Sequence, residues 1–150
     1  MRTIRVKRTL DVSAEKAFDI ISDHEGYTRM PGVKKAKLVK PGATDRNGVG
    51  AVREIEVSGA WFQEEITAFE RPKRLGYKII KSKPPIDHEG GLVELTPNAA
   101  GGVDVVWSTT LHIRVPLVGG LITRLASKRL AAMFERGLAH VETLARNAAA

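Results

Sequence analysis

The chain has no cysteine among its 150 residues, and aromatic side chains make up only 5% of it. The first absence excludes disulfides, thiolate nucleophiles and sulfur-ligated zinc or iron, so packing and backbone hydrogen bonds must hold the fold. A reducing compartment suits that composition, and a cytoplasmic location is expected. No apolar run reaches the length of a membrane span. Residues 1–12 alternate charge with Ile4, Val6 and Leu10 instead of presenting the apolar core of a signal peptide. Also missing are HxH and HExxH pairs, a G-x-S-x-G elbow, a P-loop and a GxGxxG turn. The glycines of GVGAV, residues 48–52, lead into a strand pattern and so fail as a phosphate loop. Neither a metal nor a cofactor is expected.

What the chain does contain is enough apolar surface for one domain. It is 43% hydrophobic and 27% charged, a balance that fits a single folded unit spanning 1–150, with an alanine-rich tail over 147–150 expected to fray. The formal charge of +7 attracts nucleic acid, anionic membranes and acidic ligands alike. Its basic residues are scattered, and no RNP, zinc-finger or helix-turn-helix pattern goes with them, so nucleic acid is not an expected partner. The basic loops around Arg71, Lys73, Arg74, Lys81 and Lys83 make an anionic membrane surface a candidate partner.

Periodicity divides the chain. Ile4, Val6, Leu10 and Val12 alternate with Arg5, Lys7 and Thr9, the pattern of a strand with one wet face, which Arg8 interrupts. Ser13 can cap a helix over AEKAFDIIS, whose Ala14, Ala17, Phe18 and Ile21 share one stripe. Ser22 with Glu25 reads as a capping box opening a second short helix, which Pro31-Gly32 ends. Between Val33 and Val115 six strand patterns follow without an intervening helix, and the short turns between them require antiparallel pairing. Residues 117–146 then form one long helix with an apolar stripe of Val118, Leu121, Ile122, Leu125, Met133, Phe134, Val141 and Leu144. This order predicts an α+β protein, a seven-stranded curved antiparallel sheet around a long C-terminal helix, with two short helices after the first strand. A stripe that wide calls for a strongly curved partner, and such a pair can leave space between sheet and helix.

The stretch DHEGYTRMPG, residues 23–32, gathers two acids, a histidine, a tyrosine and an arginine. With Asp23 and Glu25 at a helix N-terminus and Tyr27 and Met30 supplying apolar contact, it reads as a joint of the scaffold. His24 reads as structural or solvent-exposed, since no second histidine or base stands at ligand or relay spacing. The sharper signal lies in the following hairpin. A two-residue turn at Ser58-Gly59 sets Val57 opposite Ala60, Ile55 opposite Phe62, Arg53 opposite Glu64 and Ala51 opposite Ile66. One face then carries Val49, Ala51, Ile55, Val57, Ala60, Phe62, Ile66 and Ala68, with one Arg and one Glu in its middle. A charged pair there costs several kcal/mol of desolvation per ion, recovered by close pairing, extra hydrogen bonds or retained water. Arg53 and Glu64 therefore either neutralise each other structurally or line a partly hydrated cavity and orient a ligand's oxygen atoms. Tyr77 and Trp107 alternate onto core-facing positions. Together with Ile55, Phe62, Leu125 and Met133 they complete the predicted ligand wall, and Arg53, Glu64 and Tyr77 are the candidates for catalysis.

The segments DVSAEKAFDIISDHEGYTRMPGV, GVGAVREI, EEITAFERPKRLGYKI, GGLVELTP, GGVDVVWSTTL and VPLVGGLITRL, in this order, resemble the polyketide cyclase/dehydrase family of the START-like (SRPBCC) superfamily over nearly the whole chain. The resemblance implies a helix-grip fold with an elongated cavity between sheet and last helix, which takes hydrophobic small molecules such as lipids, isoprenoids or polyketides. It does not imply catalysis, because relatives include both aromatase/cyclases and lipid or quinone binders that perform no chemistry. By position, Arg53 and Glu64 or Glu65 match the family's polar strand residues, and Tyr77 and Trp107 its aromatic wall. FDIISDHEGYTRMPG is similar to the quinone-binding branch, RPKRLGY and VPLVGG to the cyclase-like branch. Three readings follow. The chain binds or transports a hydrophobic, partly oxygenated small molecule; or it is an aromatase/cyclase in which Arg53 polarises a carbonyl while Glu64 or Tyr77 relays protons; or it is a membrane-surface lipid or quinone chaperone using its basic loops.

Overall fold

The computed structural model describes residues 1–148. In chain order these form β1 (Arg2–Leu10), α1 (Ala14–Ile21), a 3-10 helix (His24–Arg29), β2 (Val33–Lys40), β3 (Val52–Val57), β4 (Ala60–Glu70), β5 (Arg74–Lys83), β6 (Ile86–Pro97), β7 (Val103–Ile113) and α2 (Gly119–Ala148). The strands make one antiparallel sheet in the order β1-β7-β6-β5-β4-β3-β2. Each strand from β2 to β7 pairs with the next as a continuous meander, closed by short turns except for the loop of residues 41–51 between β2 and β3, and β1 joins it by pairing with β7. This is the predicted α+β arrangement, a curved seven-stranded sheet with a long C-terminal helix. Of the tail expected to fray, Asn147 and Ala148 are helical, and residues 149–150 lie outside the described residues.

Ser13 caps α1 as its position suggests, the hydroxyl accepting from the Lys16 amide at 3.2 Å. The capping box at Ser22 does not form. Ser22 ends α1 instead, while Glu25 pairs with Arg46 at 2.9 Å and Asp23 with Arg29 at 3.0 Å, so ion pairs claim the carboxylates. The Ser58-Gly59 turn holds the predicted register, Val57 facing Ala60, Ile55 facing Phe62 and Arg53 facing Glu64. Gly59 stands at φ 78°, a left-handed backbone that costs glycine nothing. Val49 departs from its expected place. It precedes the start of β3 and is exposed, because the chain still turns there and no ladder orients it.

Register shifts in β4–β5 and β6–β7 place extra residues on one strand, which bends the sheet. Strands β5 and β6 pair only between Arg74–Glu94 and Tyr77–Gly91. Beyond that point side chains bridge the parting: His88 Nδ1 accepts from the Ile79 amide at 2.9 Å and Ser82 Oγ from the Ile86 amide at 3.1 Å.

Helix α2 approaches β1, β7 and α1 most closely. Its C-terminal half buries Phe134, Leu138, Val141 and Ala145 in a core that includes Leu10, Phe18, Ile21, Val103 and Val105. The N-terminal half packs differently. There the buried stripe is Gly119, Thr123 and Ser127, and Val118, Leu121 and Leu125 are exposed, contrary to the predicted apolar face. Hydrogen bonds set this rotation. Thr123 Oγ1 accepts from the Ile113 amide at 2.8 Å and donates to the Gly119 carbonyl at 2.7 Å, and Ser127 Oγ donates to the Thr123 carbonyl at 2.7 Å. A Cβ on Gly119 would lie 2.7 Å from the Ile113 carbonyl oxygen, so glycine alone permits the close approach.

Thr123→Val keeps the side-chain shape but strands the buried Ile113 amide, and should destabilise the protein by about 1–3 kcal/mol. The check is a lower urea midpoint at unchanged m-value, against Leu121→Ala on the exposed face, which should shift stability by less than about 0.5 kcal/mol.

Candidate functional site

A cavity of about 130 Å³ lies between α2 and the strands β3 to β7. Ile21, Leu75, Val93, Leu138 and Val141 are buried parts of its wall, whereas Pro31, Val33, Val57, Ile86 and Leu130 retain solvent exposure and mark the mouth. A dry apolar cavity of about 150 Å³ admits benzene. This chamber therefore has room for one ring or a short chain, and falls below the ~300 Å³ at which drug-sized pockets begin. Among the residues expected on the wall, Arg53, Ile55, Phe62, Glu64, Tyr77, Trp107 and Met133 line the cavity. Leu125 does not. It is 57% exposed, because the rotation of α2 that buries Thr123 and Ser127 turns Leu125 outward.

Arg53 and Glu64 face each other across β3 and β4 and are both buried. Arg53 Nε donates to Glu64 Oε1 at 2.8 Å, and Nη1 donates to His24 Nδ1 at 3.2 Å and to the Tyr27 hydroxyl at 3.1 Å. The guanidinium carbon lies 5.0 Å from the Tyr27 ring centre and 5.2 Å from that of Tyr77, so two π-systems also answer its charge. Tyr27 donates its own proton to the Ile21 carbonyl, and His24 Nε2 donates to the Asn47 carbonyl at 2.9 Å. Every partner is thereby fixed in turn. These bonds use Arg53 Nε and Nη1 and Glu64 Oε1, and none among the described residues engages Arg53 Nη2 or Glu64 Oε2.

The opposite wall is aromatic. Trp107 Nε1 donates to the Tyr77 hydroxyl at 2.9 Å, and the indole stacks on Phe134 of α2 with ring centres 3.7 Å apart. Tyr77 stacks on His88 at 5.6 Å. The ring of Tyr77 lies over Gly91, where a Cβ would come within 2.1 Å of it. Since His88 Nδ1 accepts from the Ile79 amide, its proton sits on Nε2, which donates to Thr109 Oγ1 at 2.6 Å.

Burial lowers the His24 pKa to about 3, with the Arg53 charge adding to the effect. His88 falls to about 4, through burial and then Lys78. Burial pushes the Tyr77 phenol up, Glu64 adding to it, and pushes Tyr27 up against the pull of Arg53. For Arg53 burial opposes the charge, but Tyr27, Glu64 and Tyr77 outweigh it and raise the pKa. At neutral pH the site therefore holds neutral imidazoles, protonated phenols and one guanidinium.

The stretch 23–32 is more than a joint, since its His24 and Tyr27 both reach Arg53. His88 and Thr109 likewise belong to the support of the wall. The available signal for the first pair was the density of polar side chains in ten residues. Spacing along the chain could not connect them to a partner 29 and 26 residues away, because only the packing of the 3-10 helix against β2 and β3 does so.

A family model described as polyketide cyclase / dehydrase and lipid transport matches residues 1–146. No curated protein sequence matches the chain. Among solved structures, a protein from Thermus thermophilus superposes with a TM-score of 0.80 at 20% identity, covering 99% of this chain and 100% of its own. A START superfamily protein from Mycobacterium smegmatis gives 0.77 at 15% identity, covering 95% and 98%. The Zhui aromatase/cyclase from Streptomyces gives 0.76 at 18% identity, covering 99% and 96%. At these identities the likeness concerns the fold.

The two buried imidazoles carry a pH dependence. The unfolded chain takes up these protons near the ordinary value of 6.5, before the folded protein does at about 3 and about 4. Their contribution is thus fully present above about pH 6.5 and is lost as pH falls below it, by up to about 1.4 kcal/mol per pH unit for each imidazole. Urea unfolding between about pH 7 and pH 5 should show this decline. The His24→Gln/His88→Gln double variant should flatten it, and an equally steep profile in that variant would assign the slope to other groups.

Proposed function

The chain belongs to the polyketide cyclase/dehydrase and lipid transport family with a START-like fold, and from this premise we propose that it binds and carries a neutral, ring-sized, oxygen-bearing hydrophobic molecule. The observation that carries the reading is the pairing of an apolar chamber with one unpartnered donor, Arg53 Nη2, and one unpartnered acceptor, Glu64 Oε2. Apolar burial at about 25 cal/mol per Å² supplies affinity, and the pair supplies orientation. Because Arg53 and Glu64 neutralise each other, a ligand carboxylate would meet the Glu64 charge. A hydroxyl or carbonyl meets no such opposition and can use both free positions.

The aromatase/cyclase reading draws on Tyr77 standing beside Arg53 on the wall. Proton transfer near neutral pH needs a group that titrates there. His24 and His88 are held neutral far below that range, both phenols are pushed upward, and His24 Nδ1 is already engaged by Arg53. These four groups favour binding over chemistry, and Glu64, held by Arg53 Nε at 2.8 Å, is the relay that the aromatase/cyclase reading requires.

Titration calorimetry with phenol, acetophenone, benzoate and toluene tests the reading. Phenol and acetophenone should bind more tightly than benzoate. Arg53→Met alone should cost about 3–5 kcal/mol of stability, since it strands a buried carboxylate, whereas adding Glu64→Leu should remove that cost and leave about 1–3 kcal/mol for the His24 Nδ1 that loses its donor. The paired variant should keep toluene and lose its preference for the oxygenated rings by roughly tenfold, the loss of about one hydrogen bond. A folded wild-type protein that takes none of the four, and carries no bound molecule in native mass spectrometry, would defeat the proposal.

A further inference from the structure

The first turns of α2 are amphipathic in the reverse sense. Leu117, Val118, Leu121 and Leu125 are exposed, while Gly119, Thr123 and Ser127 face inward. Leu121 and Leu125 stand one turn apart on one face, and Leu117 precedes them by the same four-residue step at the tip of the β7–α2 connection. Leu117 is fully exposed and stands at φ 69°, a left-handed backbone unfavourable for a bulky L-residue, with no burial to offset it. Core packing explains none of these four positions, because the hydrogen bonds of Thr123 and Ser127 already fix the helix.

The charges beside this ridge are of one sign. Arg124, Lys128 and Arg129 are exposed and form no ion pair among the described residues, whereas Arg114 is answered by Asp87 at 3.1 Å. Between Val105 and Phe134 the sequence contains no Asp or Glu. The helix geometry sets Arg124 and Lys128 on one flank of Leu121 and Leu125, and Arg129 on the other. An apolar ridge with cations on both flanks complements an anionic lipid bilayer: the leucines enter the acyl boundary and the long basic side chains stay at the headgroups. A second copy of the chain fits poorly, since pairing the face with itself brings like charges together.

We propose that Leu117 and the first turns of α2 form a reversible docking surface for anionic phospholipid bilayers. The surface is separate from the Arg71–Arg74 turn at the far end of β5, whereas the turn after Lys83 adjoins it, the Arg114 amide donating to the Pro85 carbonyl at 2.9 Å. It is independent of whether the cavity holds a ligand, although Leu130 of the cavity mouth follows Leu125 by only about 8 Å along the helix axis.

Flotation with phosphatidylcholine vesicles and with phosphatidylcholine–phosphatidylglycerol vesicles tests the proposal, at low and at physiological salt. The protein should float with the anionic vesicles only, and less as salt rises. Leu121→Gln/Leu125→Gln should lower binding at least roughly tenfold, and Arg124→Gln/Lys128→Gln by a similar factor. Both pairs are exposed, so an unchanged urea midpoint will certify the fold. Arg71→Gln/Lys73→Gln should bind as wild type. Absence of binding at low salt overturns the proposal, as does binding indifferent to the leucine pair. A wild-type dimer that the leucine pair dissociates would assign the face to a second copy instead. Because lipid association is the readout, an empty cavity leaves this test intact.

Discussion

An ion pair buried on the concave side of an apolar sheet constrains much of this molecule. Arg53 and Glu64 are almost wholly withdrawn from bulk water, and a buried charge without partners is far costlier than a lost contact. The pair therefore recruits its surroundings. His24 and Tyr27 arrive from the 3-10 helix, Tyr27 and Tyr77 bring ring faces to the guanidinium, and the Ile21 and Asn47 carbonyls fix the recruits. What looks like a polar joint between α1 and β2 is a clamp on a charge. Among the described residues no hydrogen bond engages Arg53 Nη2 or Glu64 Oε2, so the clamp leaves part of each ion open.

The other determinant is how α2 sits. Its C-terminal half packs closely with α1, β1 and β7, and its N-terminal half is drawn down by Gly119, Thr123 and Ser127. The middle, with Leu130, Met133 and Phe134, spans the chamber opposite Tyr77 and Trp107. A helix anchored at both ends over a bent sheet cannot close on the sheet's centre, so a cavity of about 130 Å³ persists. The same rotation moves the bulk of Leu121 and Leu125 to the outside. One packing choice thus decides both the chamber and the outer ridge.

Much of the fold was legible in the residues. The alternation of β1, the Ser13 cap and the Ser58-Gly59 register are local or nearest-neighbour consequences of side-chain chemistry, and they stand where the sequence places them. The Arg53–Glu64 pair was legible for the same reason, since a two-residue turn allows one register that sorts polar from apolar faces. His24, Tyr27, His88 and Thr109 were not, because their partners come from elements distant in the chain. Leu125 was misplaced because periodicity weighs hydrophobicity alone, while the buried Thr123 and Ser127 satisfy their hydroxyls within the helix and so pack like small apolar residues.

By itself the sequence determined the order of elements, the antiparallel meander and the presence of opposite charges on one inner face, since each follows from patterns within a strand, a turn or a helix. Tertiary structure alone decided which face α2 turns inward, how large a chamber remains, and which side chains answer Arg53. Those outcomes depend on competition among contacts between remote segments, where a close glycine approach at Gly119 and a few hydrogen bonds outweigh the apolar stripe of the helix.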